Sequence, residues 1–273
     1  KMVHKQSGEM KATLTEALTK SGKELLRYSA GNTGFRIKES QSSIVTEADL
    51  KSDEIIREII TARYPSHNLL SEESGFKNNN SDYTWVIDPL DGTSNFASAL
   101  PWYGVLITLF HGNEPLIAGA YLPEEDLLYY AQKNEGSYKN GNLFKMDRQA
   151  ILRNSLCAFS VDYTDDEEVL ARSMSIYRNI VKSSRNIRST NSLMDFLLVA
   201  EGKFGGCINL FTRIWDISGL GLIITEAGGM MKSISGDDII YSLDENSPDR
   251  NFAVMAGSEN IIDEFLCSVL KSR

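Results

Sequence analysis

Trp85 to Phe96 reads WVIDPLDGTSNF, and its character changes halfway along. TWVID, Thr84 to Asp88, has the composition of a buried strand. Pro89 then removes a backbone donor and forces a turn. Asp91 follows three residues after Asp88, and Gly92, Thr93 and Ser94 open a helix. Two carboxylates are thereby expected at the carboxyl end of a strand, beside free backbone N–H groups. Such N–H groups, with the positive end of a helix dipole, bind anions. Carboxylates bind hard, oxygen-seeking cations such as Mg²⁺. A cation site and a phosphate site are expected side by side. The plain alternative is an Asp-Gly turn in which Asp91 only satisfies the Thr93 and Ser94 N–H groups.

On either side of this segment the hydrophobic period differs. Ala12 to Tyr28 carries Leu14, Leu18, Leu25 and Leu26 at helical spacing, and Gly31 to Gly34 reads as a loop. A second helix is expected from Thr46 to Arg63, stopped by Pro65, and a polar loop over Lys77 to Asp82. After residue 96, strands are expected at Tyr103 to Phe110, Pro115 to Leu122 and Leu127 to Gln132, forming an antiparallel meander. The second half alternates. Strands at Leu156 to Val161, in FGGCINL and at Asn251 to Gly257 are interleaved with helices near Glu167 to Val181, Thr190 to Glu201, Asp216 to Ala227 and Glu259 to Leu270. A meander followed by alternation gives layered sheets and helices, with an N-terminal α+β unit over 1–150 and a C-terminal α/β unit over 151–273.

Composition narrows the chemistry. The formal net charge is -9, from 28 Lys and Arg against 37 Asp and Glu, with no dense basic run, so neither nucleic acid nor a membrane surface is an expected partner. An acidic protein that takes a phosphate needs a cation in its site. Cys157, Cys207 and Cys267 lie far apart without a CxxC, which suits free thiols in a cytoplasmic protein. His4, His67 and His111 lack metal-ligand spacing. HExxH, a P-loop, a GxSxG elbow and GxGxxG are all absent, which leaves carboxylates to carry the chemistry.

Further acids stand in patterned settings. LLSEESG, Leu69 to Gly75, holds Glu72 and Glu73 behind an apolar lead-in. VTEAD, Val45 to Asp49, spaces Thr46 and Asp49 as a capping box. WDISGLGLIITEAGG, Trp215 to Gly229, begins a core helix whose Ile217, Leu220, Ile224 and Ala227 share a face. Asp216 is there either an N-cap or a ligand presented by a rigid element. Gly219 and Gly221 inside that helix cost roughly 1 kcal/mol each. Close packing against a neighbour is the expected compensation.

VTEAD, the paired-Glu segment, DPLDGTSNF and the WD…EAGG segment, together and in this order along the chain, resemble the inositol monophosphatase family of metal-dependent, lithium-sensitive phosphatases. The resemblance covers most of the chain. It implies a layered αβαβα sandwich of the sugar-phosphatase type, mixed α+β and α/β in class. It implies one Mg²⁺ on Glu72, Asp88 and the Leu90 carbonyl, a second on Asp88, Asp91 and Asp216, and a weaker third near Glu72. Gly92, Thr93 and Ser94 would donate to the phosphate. Thr93, oriented by Asp49, would help activate the attacking water together with the metal on Glu72. A homodimer is expected by analogy.

The substrate implied is a small phosphomonoester, myo-inositol 1-phosphate first. Related members act on fructose 1,6-bisphosphate, adenosine 3′,5′-bisphosphate or histidinol phosphate, and some associate with transcription machinery. Asn95 and Phe96 resemble the inositol branch. Asp91 and Asp216 could also bind substrate hydroxyls. Seven residues before Asp216, however, the inositol enzymes usually carry Glu, and this chain carries Asn209. Near Ser189 the GxA-type run of the family reads STNSLMD. Arg213 stands either against a second anionic group of the substrate or in a surface salt bridge.

Overall fold

The computed structural model describes residues 2–29, 34–38 and 44–271. Most of the loop expected at Gly31 to Gly34 falls outside them. Helix α1 (Met2–Ser29) is followed by a small antiparallel pair, β1 (Phe35–Ile37) and β2 (Ile44–Thr46), and by α2 (Glu47–Arg63). Then come β3 (Asn68–Ser71), β4 (Gly75–Lys77), β5 (Tyr83–Asp91), the short α3 (Thr93–Ala97), β6 (Gly104–His111), β7 (Glu114–Leu122), β8 (Leu127–Gln132), β9 (Gly136–Lys139) and β10 (Asn142–Phe144). The remaining chain forms β11 (Leu156–Ser160), α4 (Glu167–Ser183), β12 (Asn186–Arg188), α5 (Leu193–Ala200), β13 (Gly206–Thr212), α6 (Ile214–Glu226), β14 (Met230–Ser233), β15 (Phe252–Gly257) and α7 (Glu259–Glu264). A single turn of π-helix over Phe265–Val269 continues α7.

Two sheets result. An eight-stranded sheet runs β10-β9-β8-β7-β6-β5-β3-β4, and its pairs are antiparallel except β3 with β5. A five-stranded sheet runs β12-β11-β13-β15-β14, parallel across its first three strands. Apolar clusters fix the layers. Leu14 and Leu18 of α1 and Ile56 and Ile60 of α2 pack on Trp85, Ile87, Ile107 and Leu109, on one face of the large sheet. Ala118 and Ala120, on its other face, meet Phe196 of α5 and Ile217, Leu220 and Ile224 of α6. That cluster also contains Ala158, Cys207 and Ala256 from the small sheet. The far face of the small sheet packs Phe159 and Met255 against Ile176 and Ile180 of α4 and Ile261 of α7. The order of layers is therefore αβαβα, with α5 and α6 between the sheets.

A helix held between two sheets must let both approach. A Cβ on Gly219 would stand 2.6 Å from Thr108 Oγ1, so here the glycine does permit close packing of α6 on β6. At Gly221 the nearest atom would be at 3.5 Å, an ordinary contact, and close packing does not explain that glycine.

The expected meander and alternation match the observed elements, with shifted ends. The first helix is longer than its periodic segment, and β5 continues past Pro89 to Asp91. The expected polar loop from Lys77 begins with the last residue of β4. The helix expected from Thr190 starts at Leu193, because Ser192 accepts the Met194 N–H as its cap. The short strands β1, β2, β3, β4, β9, β10, β12 and β14 lack a periodic signal long enough to read. His67 is buried among aromatic side chains, stacked between Tyr64 and Tyr83, and accepts the Trp85 indole N–H at 3.1 Å. Among the described residues no helix is long and apolar enough to cross a membrane.

Candidate active site

The site is built on the end of β5. Val86 and Asp88 share one strand face, since side chains alternate. Val86 packs there against Ile214 and Trp215 at the start of α6. Asp88 is thereby aimed at α6. Asp91, an odd number of residues on, would face away in a regular strand. The register between β5 and β6 shifts between Asp88 and Asp91, however, and such an irregularity re-aims a side chain. One carboxylate oxygen from each of Asp88, Asp91 and Asp216 lies within 4.8 Å of the others. Asp216 sits in the first turn of α6, where its Oδ2 accepts the Arg213 N–H at 2.6 Å. The N-cap position belongs to Arg213, so the N-cap reading of Asp216 is corrected.

Glu72 follows β3, which runs parallel to β5, and its N–H bonds to the Ile87 carbonyl at 3.1 Å. It therefore lies beside Asp88 and lines the same cavity of about 490 Å³ as Asp88, Asp91 and Asp216. Lys38, which no motif announced, places its ammonium 3.0 Å from Glu72 Oε1 and also pairs with Glu73.

Helix α2 ties these segments together from below. Ser52 donates to the Pro89 carbonyl at 2.6 Å, and Asp53 accepts from Ser71 at 2.5 Å, next to Glu72. At its N-terminus Thr46 and Asp49 form the expected reciprocal cap, with the Thr46 N–H at 2.7 Å from Asp49 Oδ2. The other oxygen of Asp49 is 3.1 Å from Thr93 Oγ1. Capping and the Thr93 contact thus coexist. Thr93 Oγ1 also lies 2.9 Å from the Leu90 carbonyl. A hydroxyl has one proton, so it can serve only one of these two acceptors at a time.

Beyond Asp91 the backbone turns through Gly92 at φ 82° into α3. A Cβ there would come 2.6 Å from the Trp102 carbonyl, so this position requires glycine. The amides of Gly92, Thr93 and Ser94 precede or open the helix, where intrahelical acceptors are lacking. All three residues line the cavity, next to the carboxylates. Asp91 does not cap these amides in the manner of a plain turn. Its Oδ1 accepts the Leu193 N–H at 2.6 Å, from the start of α5. Asn95 reinforces that link by donating to the carbonyls of Trp102 and Thr190, both at 2.8 Å.

Electrostatics follow from the crowding. Burial, and then Glu72, Asp91 and Asp216, push the Asp88 carboxyl well above the usual carboxylate range. Burial raises Asp91 to about 7, against the pull of the Leu193 N–H. Burial and the nearby Asp91 and Glu72 raise Asp216. Burial also raises Glu72, with Lys38 opposing it. Asp49 is lifted to about 6, chiefly by burial, although Thr46 donates to it. Carboxyls held this close want either protons or a cation. The donors are oxygen only, with no His or Cys, so the set fits a hard ion such as Mg²⁺.

Asn209 and Arg213 line the same cavity. Arg213 forms no salt bridge with a carboxylate among the described residues; its Nη1 donates to the Asp249 carbonyl at 2.7 Å. Phe96, by contrast, is buried edge-on against Tyr103, a packing role. Lys38 and Asp162 on the cavity wall were missed, because each sits in a segment with no chemical spacing to mark it; Asn191, also on that wall, belongs to the STNSLMD run.

A carboxylate cluster beside the amides that open a helix fits one class, the cation-assisted phosphomonoesterases. The chain belongs to the inositol monophosphatase family, whose model matches residues 7–272, and it is a phosphomonoesterase of that Mg-dependent family. It is 33% identical over 198 residues to a fructose-1,6-bisphosphatase/inositol-1-monophosphatase of Aquifex aeolicus, covering 71% of this chain and 73% of that one. It is 29% identical over 230 residues to a putative Nus factor SuhB of Neisseria meningitidis, covering 83% and 87%. The crystal structure of the extragenic suppressor protein suhB from Bartonella henselae superposes with a TM-score of 0.88 at 23% identity, covering 97% of this chain and all of that one.

Proposed function

We propose that this protein hydrolyses a small polyol phosphomonoester to the free alcohol and inorganic phosphate, with myo-inositol 1-phosphate the first substrate to try. The observation that carries the reading is the approach of Asp88, Asp91 and Asp216 oxygens to within 4.8 Å beside the Gly92–Ser94 amides. Glu72, Asp88 and the Leu90 carbonyl would hold one Mg²⁺, Asp88, Asp91 and Asp216 a second, and a weaker third would sit near Glu72. When bound, such ions supply positive charge for the phosphate and the leaving oxygen, and acidity for a nearby water.

The chain's own groups do the positioning. The Gly92, Thr93 and Ser94 donors orient the phosphate and meet the charge that its oxygens carry in transfer. Were the Leu90 carbonyl to hold a cation, the Thr93 proton would be left to Asp49. The Thr93 oxygen can then accept a hydrogen bond from the attacking water and orient it. Water attacks phosphorus and gives up one proton, the P–O bond to the alcohol breaks, and the leaving oxygen takes up one proton, so that water's two hydrogens end on inorganic phosphate and on the alcohol. No covalent phosphoenzyme is required. Asp91 and Asp216 can also hold substrate hydroxyls.

The test is phosphate release from myo-inositol 1-phosphate with Mg²⁺, with chelator, and with Ca²⁺ or Li⁺ added. Release should need Mg²⁺ and be inhibited by the other two ions. Asp88→Asn should lose nearly all activity while its circular dichroism stays that of the parent. An Asp88→Asn protein that keeps its turnover would remove the cation cage from the reading.

A cytoplasmic location and a homodimer complete the proposal. Association with transcription machinery is a second reading, supported by the name of the Neisseria relative.

A further inference from the structure

The turn that leads into α5 is held from both sides. Helix α5 starts after its cap, Ser192, whose hydroxyl accepts the Met194 N–H. Asp195 follows three residues later. In a capping box the side chain at that position reaches back to the N–H of the cap itself. Asp195 reaches further. Its oxygens accept the Thr190 N–H at 3.0 and 3.1 Å, the Thr190 hydroxyl at 3.0 Å and the Asn191 N–H at 3.1 Å. The Ser160 hydroxyl, at the end of β11, donates to it at 3.3 Å. Asp195 is 2% exposed, and a buried carboxylate so surrounded by donors fixes what it holds. The segment it holds needs fixing. Asn191 has φ 49°, a left-handed backbone that costs free energy in a residue with a side chain.

The other side of the turn faces the carboxylate cage. The Leu193 N–H donates to Asp91 Oδ1 at 2.6 Å, and Asn95 donates to the Thr190 carbonyl at 2.8 Å. Leu193 opens α5, so its N–H has no acceptor within the helix, and the turn decides where it points. A ligand carboxylate takes its orientation from the hydrogen bonds behind it. Asp91 meets Asp88 and Asp216 in the orientation that the Leu193 N–H gives it. We propose that Asp195 is a positioning residue for the cation cage: it fixes the Thr190–Leu193 turn, and the Leu193 N–H of that turn aims Asp91. Asp195 does not itself line the cavity. The proposal rests on the cation reading of the site and adds to it a residue from outside the cage.

Calorimetric binding of Mg²⁺ to the whole protein, without substrate, tests the link. Asp195→Asn keeps the shape of the side chain and puts an NH₂ group where an oxygen accepts N–H groups. It should raise the Kd for Mg²⁺ about tenfold, the loss expected when the support behind a metal ligand is removed. Thr190→Val keeps the Asp195 charge and takes away one of its donors, and should raise Kd about threefold. Ser258→Ala removes the cap of α7, on the far face of the small sheet, and should lower Tm while leaving Kd at the parent's value. A parent-like Kd in Asp195→Asn overturns the proposal. So does a parent-like Kd in Thr190→Val, which would reduce Asp195 to a distant charge. So does a Kd that rises as far in Ser258→Ala as in Asp195→Asn, which would make the effect one of stability alone. If Asp195→Asn does not fold, Thr190→Val against Ser258→Ala decides by the same criteria. A parent protein that binds no Mg²⁺ is a separate result: the cation reading itself then fails, and this inference falls with it.

Discussion

Gly92 shows how one residue can hold two functions of the site apart and still adjacent. Its φ of 82° turns the chain from a strand that ends in carboxylates to a helix that opens with amides. Any side chain there meets both an unfavourable backbone and the Trp102 carbonyl at 2.6 Å. Gly92→Ala should therefore cost about 1–3 kcal/mol of stability and lower kcat more than it raises KM. Thermal melts and steady-state kinetics check this; a melt and a turnover like the parent's would mean that the turn does not depend on this glycine. Asp88, Asp91, Glu72 and Asp216 were legible in the sequence because each stands in a short segment with strong local punctuation: a proline, a glycine, a paired glutamate, a tryptophan before a helix. Lys38 and Asp162 have no such punctuation, and they reach the cavity through chain reversals that no local pattern encodes.

Among the elements, α2 does most to assemble the site without contributing a proposed metal ligand. Its Ser52, Asp53 and Asp49 reach Pro89 of β5, Ser71 of β3 and Thr93 of α3, three different elements. In the sequence Asp49 is marked by its capping-box spacing, whereas Ser52 and Asp53 look like ordinary polar positions on an amphipathic helix, and only packing turns them inward. Ser52 is fully buried, and Ser52→Ala would leave the Pro89 carbonyl without its donor. The expected cost is about 1–3 kcal/mol, accompanied by weaker Mg²⁺ dependence of activity, since the neighbouring Leu90 carbonyl loses its support. A Mg²⁺ titration unchanged from the parent's would show that α2 stabilises the fold without tuning the site.

At the scale of the whole molecule, the proposed cation site would link stability and cation binding through the same carboxylates. Burial holds Asp88, Asp91, Asp216 and Glu72 above their ordinary values, Asp91 at about 7. A folded-state value raised above the unfolded one of about 4 stabilises the fold fully below that pH. The contribution is lost as pH rises toward and through about 7, because the unfolded chain releases these protons more readily. Chelated protein should therefore lose this share of its stability between pH 4 and 7. At the proposed site Mg²⁺ would take the place of the protons, so it should stabilise the fold more at pH 8 than at pH 5, by about 3 kcal/mol at a hundred times its Kd. Melting curves with Mg²⁺ and with chelator at the two pH values measure it. An equal or larger Mg²⁺ effect at pH 5 would contradict the coupling.

What the chain determined by itself was local: helix caps, the strand before Asp88, the turn at Gly92, the apolar face of α6 and the residue types able to cage a hard cation. These depend on neighbours within a few positions, and backbone sterics and side-chain chemistry act at that range. The tertiary structure decided the rest. It placed α5 and α6 between two sheets, bent β5 so that Asp88 and Asp91 point the same way, brought Asp216 to them from the other half of the chain, and set Asn209 and Arg213 on the wall of the same cavity. Those outcomes depend on which apolar faces bury one another and on where a strand register slips, and packing settles such choices only when all the layers are present together.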